Sequence, residues 1–180
     1  MKSLTNYEDV SEAFDKLFPL CRSILGEGYR DSLKILEEYI PFEEEFFSSG
    51  EKVLNWHVPK EWVIREAWIE NQQGERVLDF EWNNLHVVNY SAPVDGYFEL
   101  YELKKHIYVS QTDDDAIPYT TSYYKERWGF CMSVNMLKQL SEGMYHVYID
   151  SEFIDGNLVT GEVVIPGECQ KEILITSYLC

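Results

Sequence analysis

Apolar positions first recur at helical spacing. Val10, Ala13, Phe14, Leu17, Cys21 and Ile24 fall on one face of a helix. Thr5 and Glu8 have the spacing of a capping box at its start, and Gly26 and Gly28 are expected to end it. Asp31 is expected to cap a second helix with Leu33, Leu36 and Ile40 inward, stopped by Pro41. Glu43 to Phe47 and Val53 to Trp56 read as two strands around the turn Ser48-Ser49-Gly50.

The texture changes at Pro59. Trp62 to Glu70 is a long β-rich run, and it forms a hairpin with Val77 to Phe80 through the turn Asn71 to Gly74. His86 to Tyr90 reads as a strand and Pro93 to Gly96 as a turn. Leu100, Leu103 and Ile107 mark a short helix, Gln111 to Ile117 an acidic loop, and Ser122 to Leu140 two short helical pieces. Three β runs follow: Tyr145 to Ser151, Leu158 to Ile165 and Ile173 to Leu179. Asp155-Gly156 is expected to join the first two as a hairpin, and Pro166-Gly167 to turn into the third. Ile173 to Leu179 is apolar on both faces, as a central strand of a covered parallel sheet would be. No following helices supply that cover, so the chain reads as a fragment of an α/β protein.

Composition adds a packed core. Of 180 residues, 45% are hydrophobic and 15% aromatic, which argues against a disordered chain. The net charge of −17 argues against nucleic acid as a partner. No run approaches the ~18 apolar residues of a membrane helix. No signal peptide is visible at Met1 to Asn6, and Cys21, Cys131, Cys169 and Cys180 lack CxxC spacing. Reduced thiols and a cytoplasmic location are the expectation.

The search for chemistry finds no complete set. His57, His86, His106 and His146 are not spaced as metal ligands and are expected to be hydrogen-bonded structural residues. Asp113-Asp114-Asp115 lacks the glycine and terminal glutamate of a calcium loop, so a solvated acidic loop is the expectation. There is no GxSxG, and the apolar setting of Cys131 favours an inert thiol. The segment from Tyr119 to Cys131 is unusual, because it gathers aromatics around Lys125 and Arg127. It suits either a ligand-lining surface or an inter-domain joint, and composition favours the joint.

These residues also carry a resemblance. Trp56, Val58 to Trp62 and Ile64 to Ala67 are the first block. Asn84 to Ser91, Ile117 to Tyr124, Arg127 to Cys131, Gly161-Glu162 and Pro166 to Glu168 follow in order. Together they resemble a bacterial aminopeptidase-like family, labelled a domain of unknown function or a polysaccharide-biosynthesis protein with an aminopeptidase-like domain. The resemblance runs from about Cys21 to Cys180. It implies the N-terminal part of a zinc-exopeptidase-like α/β sheet domain interrupted by a β-rich α+β insert. Residues 1–57 would be the first helices and strands, 58–155 an inserted lid, and 156–180 the return strands. In that family the strand equivalent to Ile173 to Cys180 leads to the first metal histidine, so zinc is implied for the intact protein, with no catalytic or metal residue and no bound zinc in this chain. The implied partner is a peptide or small amide substrate. Tyr123, Tyr124, Arg127 and Trp128 are the candidates to face it. A non-catalytic peptide- or sugar-binding module is the alternative. The exposed apolar run Ile173 to Leu179 also predicts a homo-oligomer or aggregate.

Overall fold

The computed structural model describes residues 7–169 and 171–179. Their contacts divide the chain into two compact units, residues 1–61 with 155–180 and residues 62–154.

In the first unit, helix α1 (Tyr7–Leu17) is shorter than its apolar spacing suggests. Pro19 lacks an amide donor and disfavours a helical Phe18, so Cys21 and Ile24 fall in the connection. The capping residue Thr5 lies outside the described residues. Helix α2 (Glu27–Glu37) begins where α1 was expected to end. Gly26 is its N-cap at φ 120°, a conformation that favours glycine. Gly28 sits in the first turn, where a Cβ would collide with the Cys21 carbonyl. The two glycines therefore open α2, and Asp31 lies inside it. Leu33 of α2 is buried, with Leu25 and Ala13.

Strand β1 (Glu43–Ser48) forms, but not as the partner of the next run. The short strands β2 (Lys52–Val53) and β3 (Trp56–His57) pair with each other. β1 pairs antiparallel with β10 (Asn157–Glu162), placing Phe46 opposite Val159 and Phe47 opposite Leu158. The expected hairpin at Asp155-Gly156 is thus absent, because β10 belongs to a different sheet from the strand before it. Residues 171–179 carry no regular secondary structure, and Ile173 and Tyr178 are 91% and 94% exposed. The run is paired with neither of the two-stranded sheets of this unit. The parallel α/β sheet expected around it is not found among the described residues; what stands is a mixed helix and strand architecture.

The second unit is built on a four-stranded sheet in the order β5-β4-β9-β6. Its strands are β4 (Glu61–Glu70), β5 (Arg76–Asp79), β6 (Val94–Glu99) and β9 (Met144–Ile154). The β4–β5 hairpin forms as expected. β6 occupies the stretch expected to be a turn, with Asp95, Tyr97 and Glu99 exposed and the residues between them half-buried. It runs antiparallel to β9, with Tyr97 opposite His146. The inner face buries Ala67, Ile69, Leu78, Val147 and Ile149.

His86 to Tyr90 is not a strand. Asn84–His86 is a 3-10 turn, capped by the Asn83 side chain, which accepts the Leu85 N–H at 2.9 Å. The buried residues that follow make isolated bridges, Val87 to Phe130 and Asn89 to Thr121, in place of a continuous ladder. Val88 N–H donates to Gly129 O at 3.0 Å and Asn89 N–H to Thr120 O at 2.8 Å. Apolar continuity reports burial but does not name the partner backbone. The helix α3 (Leu100–Leu103) forms, followed by a 3-10 turn, and β7 (Ile107–Tyr108) then pairs parallel with β8 (Phe130–Cys131). Only one of the two helical pieces expected over Ser122 to Leu140 forms, α4 (Val134–Gln139), capped by Ser133. No helix of the described residues is long and apolar enough to cross a membrane.

Candidate functional site

The segment from Tyr119 to Gly129 folds as a loop against the buried 87–91 stretch and leads into β8. Tyr90 adopts φ 66°, which is rare for a bulky residue. Its buried ring stacks near Trp62 and meets Tyr123 edge-on, with centroids 4.7 Å apart. Trp62 Nε1 donates to Ser91 O at 2.9 Å, and Ser151 Oγ donates to the same carbonyl at 2.8 Å. The Ser122 hydroxyl donates to Tyr90 O at 2.8 Å. Side-chain hydroxyls therefore satisfy backbone carbonyls that no ladder reaches.

The four sequence candidates sit on this loop but do not converge on one point. Tyr123 is half-buried against Tyr90, whereas Tyr124 is 86% exposed. Their rings meet edge-on at 6.4 Å. Arg127 turns inward: Nη1 donates to Tyr108 Oη at 3.0 Å and Nη2 to Thr121 O at 2.7 Å. Its Nε is buried without a partner among the described residues. Trp128 lies flat on His106, with centroids 3.7 Å apart. Arg127 and Trp128 thus hold the loop in place, and Tyr124 offers the open ring.

Three of the four histidines are bound into structure. The buried His86 Nδ1 lies 2.9 Å from Cys131 O. A carbonyl only accepts, so Nδ1 carries the proton. Burial pushes the His86 pKa down, against the opposing pull of the Cys131 carbonyl and Asp79. His106 Nδ1 faces Trp128 O at 3.2 Å, and His146 Nε2 faces Asp95 at 2.7 Å. His57 is exposed. No group of three or more His, Cys, Asp or Glu among the described residues could hold a metal ion. Burial pushes the Cys131 thiol up and takes Cys21 to about 11, so both stay protonated. The acidic loop is tied to α4: Asp114 pairs with Lys138 at 3.0 Å, and Asp115 accepts from Asn135 at 2.6 Å.

Sequence patterning did not single out an aromatic row on the outer face of the sheet. Tyr97 stacks on His146 at 4.3 Å, His146 meets Trp68 edge-on at 4.9 Å, and Trp68 stacks on Tyr148 at 5.2 Å. Arg76 covers the Trp68 ring at 5.1 Å. The signal was the alternation of His146 and Tyr148 in β9, which becomes a row only once the strand order is known.

The family profile described as "Domain of unknown function (DUF2172)" matches residues 61–152, just over half of the chain. The chain belongs to the DUF2172 family. Its DUF2172 region covers nearly the whole second unit, from β4 into β9. Over 172 residues the chain is 46% identical to a Clostridium acetobutylicum protein. That protein is provisionally named a polysaccharide biosynthesis protein with aminopeptidase-like domain. The match covers 96% of this chain and 40% of the relative. A crystal structure from Clostridium acetobutylicum, provisionally described as a peptidase, superposes with a TM-score of 0.83 at 45% identity. It covers 90% of this chain and 38% of that one. The chain therefore spans about two fifths of the length of these relatives. The resemblance drawn from the residue blocks is borne out at the level of family.

Proposed function

We propose that this chain is the amino-terminal part of an aminopeptidase-like hydrolase that cleaves a peptide or small amide bond. The observation that carries the reading is the 46% identity across 96% of the chain to a protein with an aminopeptidase-like domain. Under this reading residues 1–61 and 155–180 contribute scaffold, and the DUF2172 unit is an inserted cover for a cytoplasmic enzyme's active site. Zinc is the expected cofactor, and it would supply the hydrolytic activation when bound. The described residues do not fit a zinc site, so its ligands would come from sequence beyond this chain. Of the four candidates, Tyr124 would touch substrate, its ring being exposed. Arg127 and Trp128 would act by holding the loop, and Tyr123 by anchoring it on Tyr90.

The measurement uses the complete open reading frame that contains this sequence. Release of nitroaniline from aminoacyl nitroanilides should occur, disappear with a zinc chelator and return with added zinc. A folded, zinc-loaded protein that cleaves no amide substrate would sink the reading. The 180-residue chain alone should carry no stoichiometric zinc by elemental analysis. Unchanged catalytic efficiency in folded Arg127→Ala and Trp128→Ala variants would remove those residues from any role.

A binding module is the second reading, favoured by the open rings of Tyr97 and Tyr124, 68% and 86% exposed. Calorimetric titration with oligosaccharides and short peptides separates it from the first. Saturable binding by a protein without hydrolysis would favour it.

A further inference from the structure

The chain passes between its two units twice, after Glu61 and after Ile154. Within the first unit both connectors are tied to one turn. The Ser49 hydroxyl donates to Pro59 O at 2.9 Å and accepts the Gly156 N–H at 3.0 Å. The Ser49 N–H donates to Gly156 O at 2.9 Å. The neighbouring amides hold the first connector, with Gly50 N–H on Val58 O at 2.8 Å and Val58 N–H on Glu51 O at 2.9 Å.

A part-buried ion pair adds a second tie. The Glu61 side chain, 7% exposed, receives both arms of the Arg30 guanidinium from α2, at 2.8 and 3.0 Å. Such a fork is stronger and more directional than a surface pair, and a buried carboxylate stripped of it is costly. The second connector lies directly against this side chain. A Cβ added to Gly156 would strike the Glu61 carboxylate and come within 2.9 Å of the Glu61 Cβ. Lys60 and Asp155 face each other across the pair at 3.7 Å. One hydroxyl and one carboxylate thus each touch both connectors.

We propose that Ser49, Arg30, Glu61 and Gly156 form a latch that locks the two connectors together on the first unit, so that they release in one event and not singly. The latch does not depend on what the whole protein catalyses. It makes a single opening equilibrium of what would otherwise be two.

Amide hydrogen exchange on the 180-residue chain tests it. Arg30→Met should speed exchange at Val58 and Gly156 together, by about tenfold or more. Amides of the β6–β9 ladder should keep their wild-type rates. Arg30→Lys, which keeps the charge but loses the fork, should fall between. If Arg30→Met also exposes the α2 amides, Ser49→Ala decides the matter, since it deletes one hydroxyl and leaves the helix intact. It must likewise accelerate both connectors. Acceleration confined to one connector, or none at either, overturns the proposal.

Discussion

At the scale of single residues, polar groups here mostly serve the backbone. His86 is the clearest case, because its one ring proton is committed to the Cys131 carbonyl. Its pKa is lowered by burial, so the folded state resists taking a second proton that the unfolded chain accepts near pH 6.5. The unfolded state then binds more protons across that window, and stability rises with pH there. The His86 contribution is present in full above about pH 6.5 and declines as pH falls toward the folded-state value. Chemical denaturation of wild type and His86→Asn at several pH values measures it. The stability gap between them should shrink on acidification, and a gap independent of pH would refute the assignment. Arg127 shows the same habit on a larger side chain. Its guanidinium, which in sequence suited either a ligand-lining surface or an inter-domain joint, donates to Tyr108 and Thr121.

At the scale of elements, local signals located structure better than they described it. Gly26 and Gly28 were legible as a helix boundary, but spacing alone assigned them to the wrong helix. Only the contact between Gly28 and the Cys21 carbonyl shows why the second glycine must lack a side chain. Gly28→Ala should therefore destabilise the first unit by about 1–3 kcal/mol, although alanine is the better helix former. Denaturant midpoints check this, and a stabilised variant would show that α2 can shift away from Cys21. Among strands, the long runs β4 and β9 and the β4–β5 hairpin were readable from periodicity and turn residues. The β1–β10 pairing was not, because its partners lie more than a hundred residues apart and no local turn announces them.

At the scale of the whole molecule, exposed apolar surface is concentrated in two places. Helix α1 and the turn after it show Tyr7, Val10, Phe14 and Phe18 to solvent, and the late segment shows Ile165, Ile173, Leu174 and Ile175 at 86 to 91% exposure. Surface of this kind favours association. Light scattering should show mass rising with concentration, and Ile173→Ser with Ile175→Ser should reduce it. A clean monomer at high concentration would contradict this.

The periodicity of 3.6 and of 2, and the positions of glycine and proline, determined by themselves that this chain has early helices and a β-rich middle. Ordered blocks of residues also carried its family. These properties are local or additive, so the sequence displays them directly. Which strand pairs with which, whether Pro93 to Gly96 turns or extends, and where the Arg127 charge goes were decided by tertiary structure. Each depends on backbone groups far away in sequence that must be satisfied once buried, and no window along the chain contains both partners.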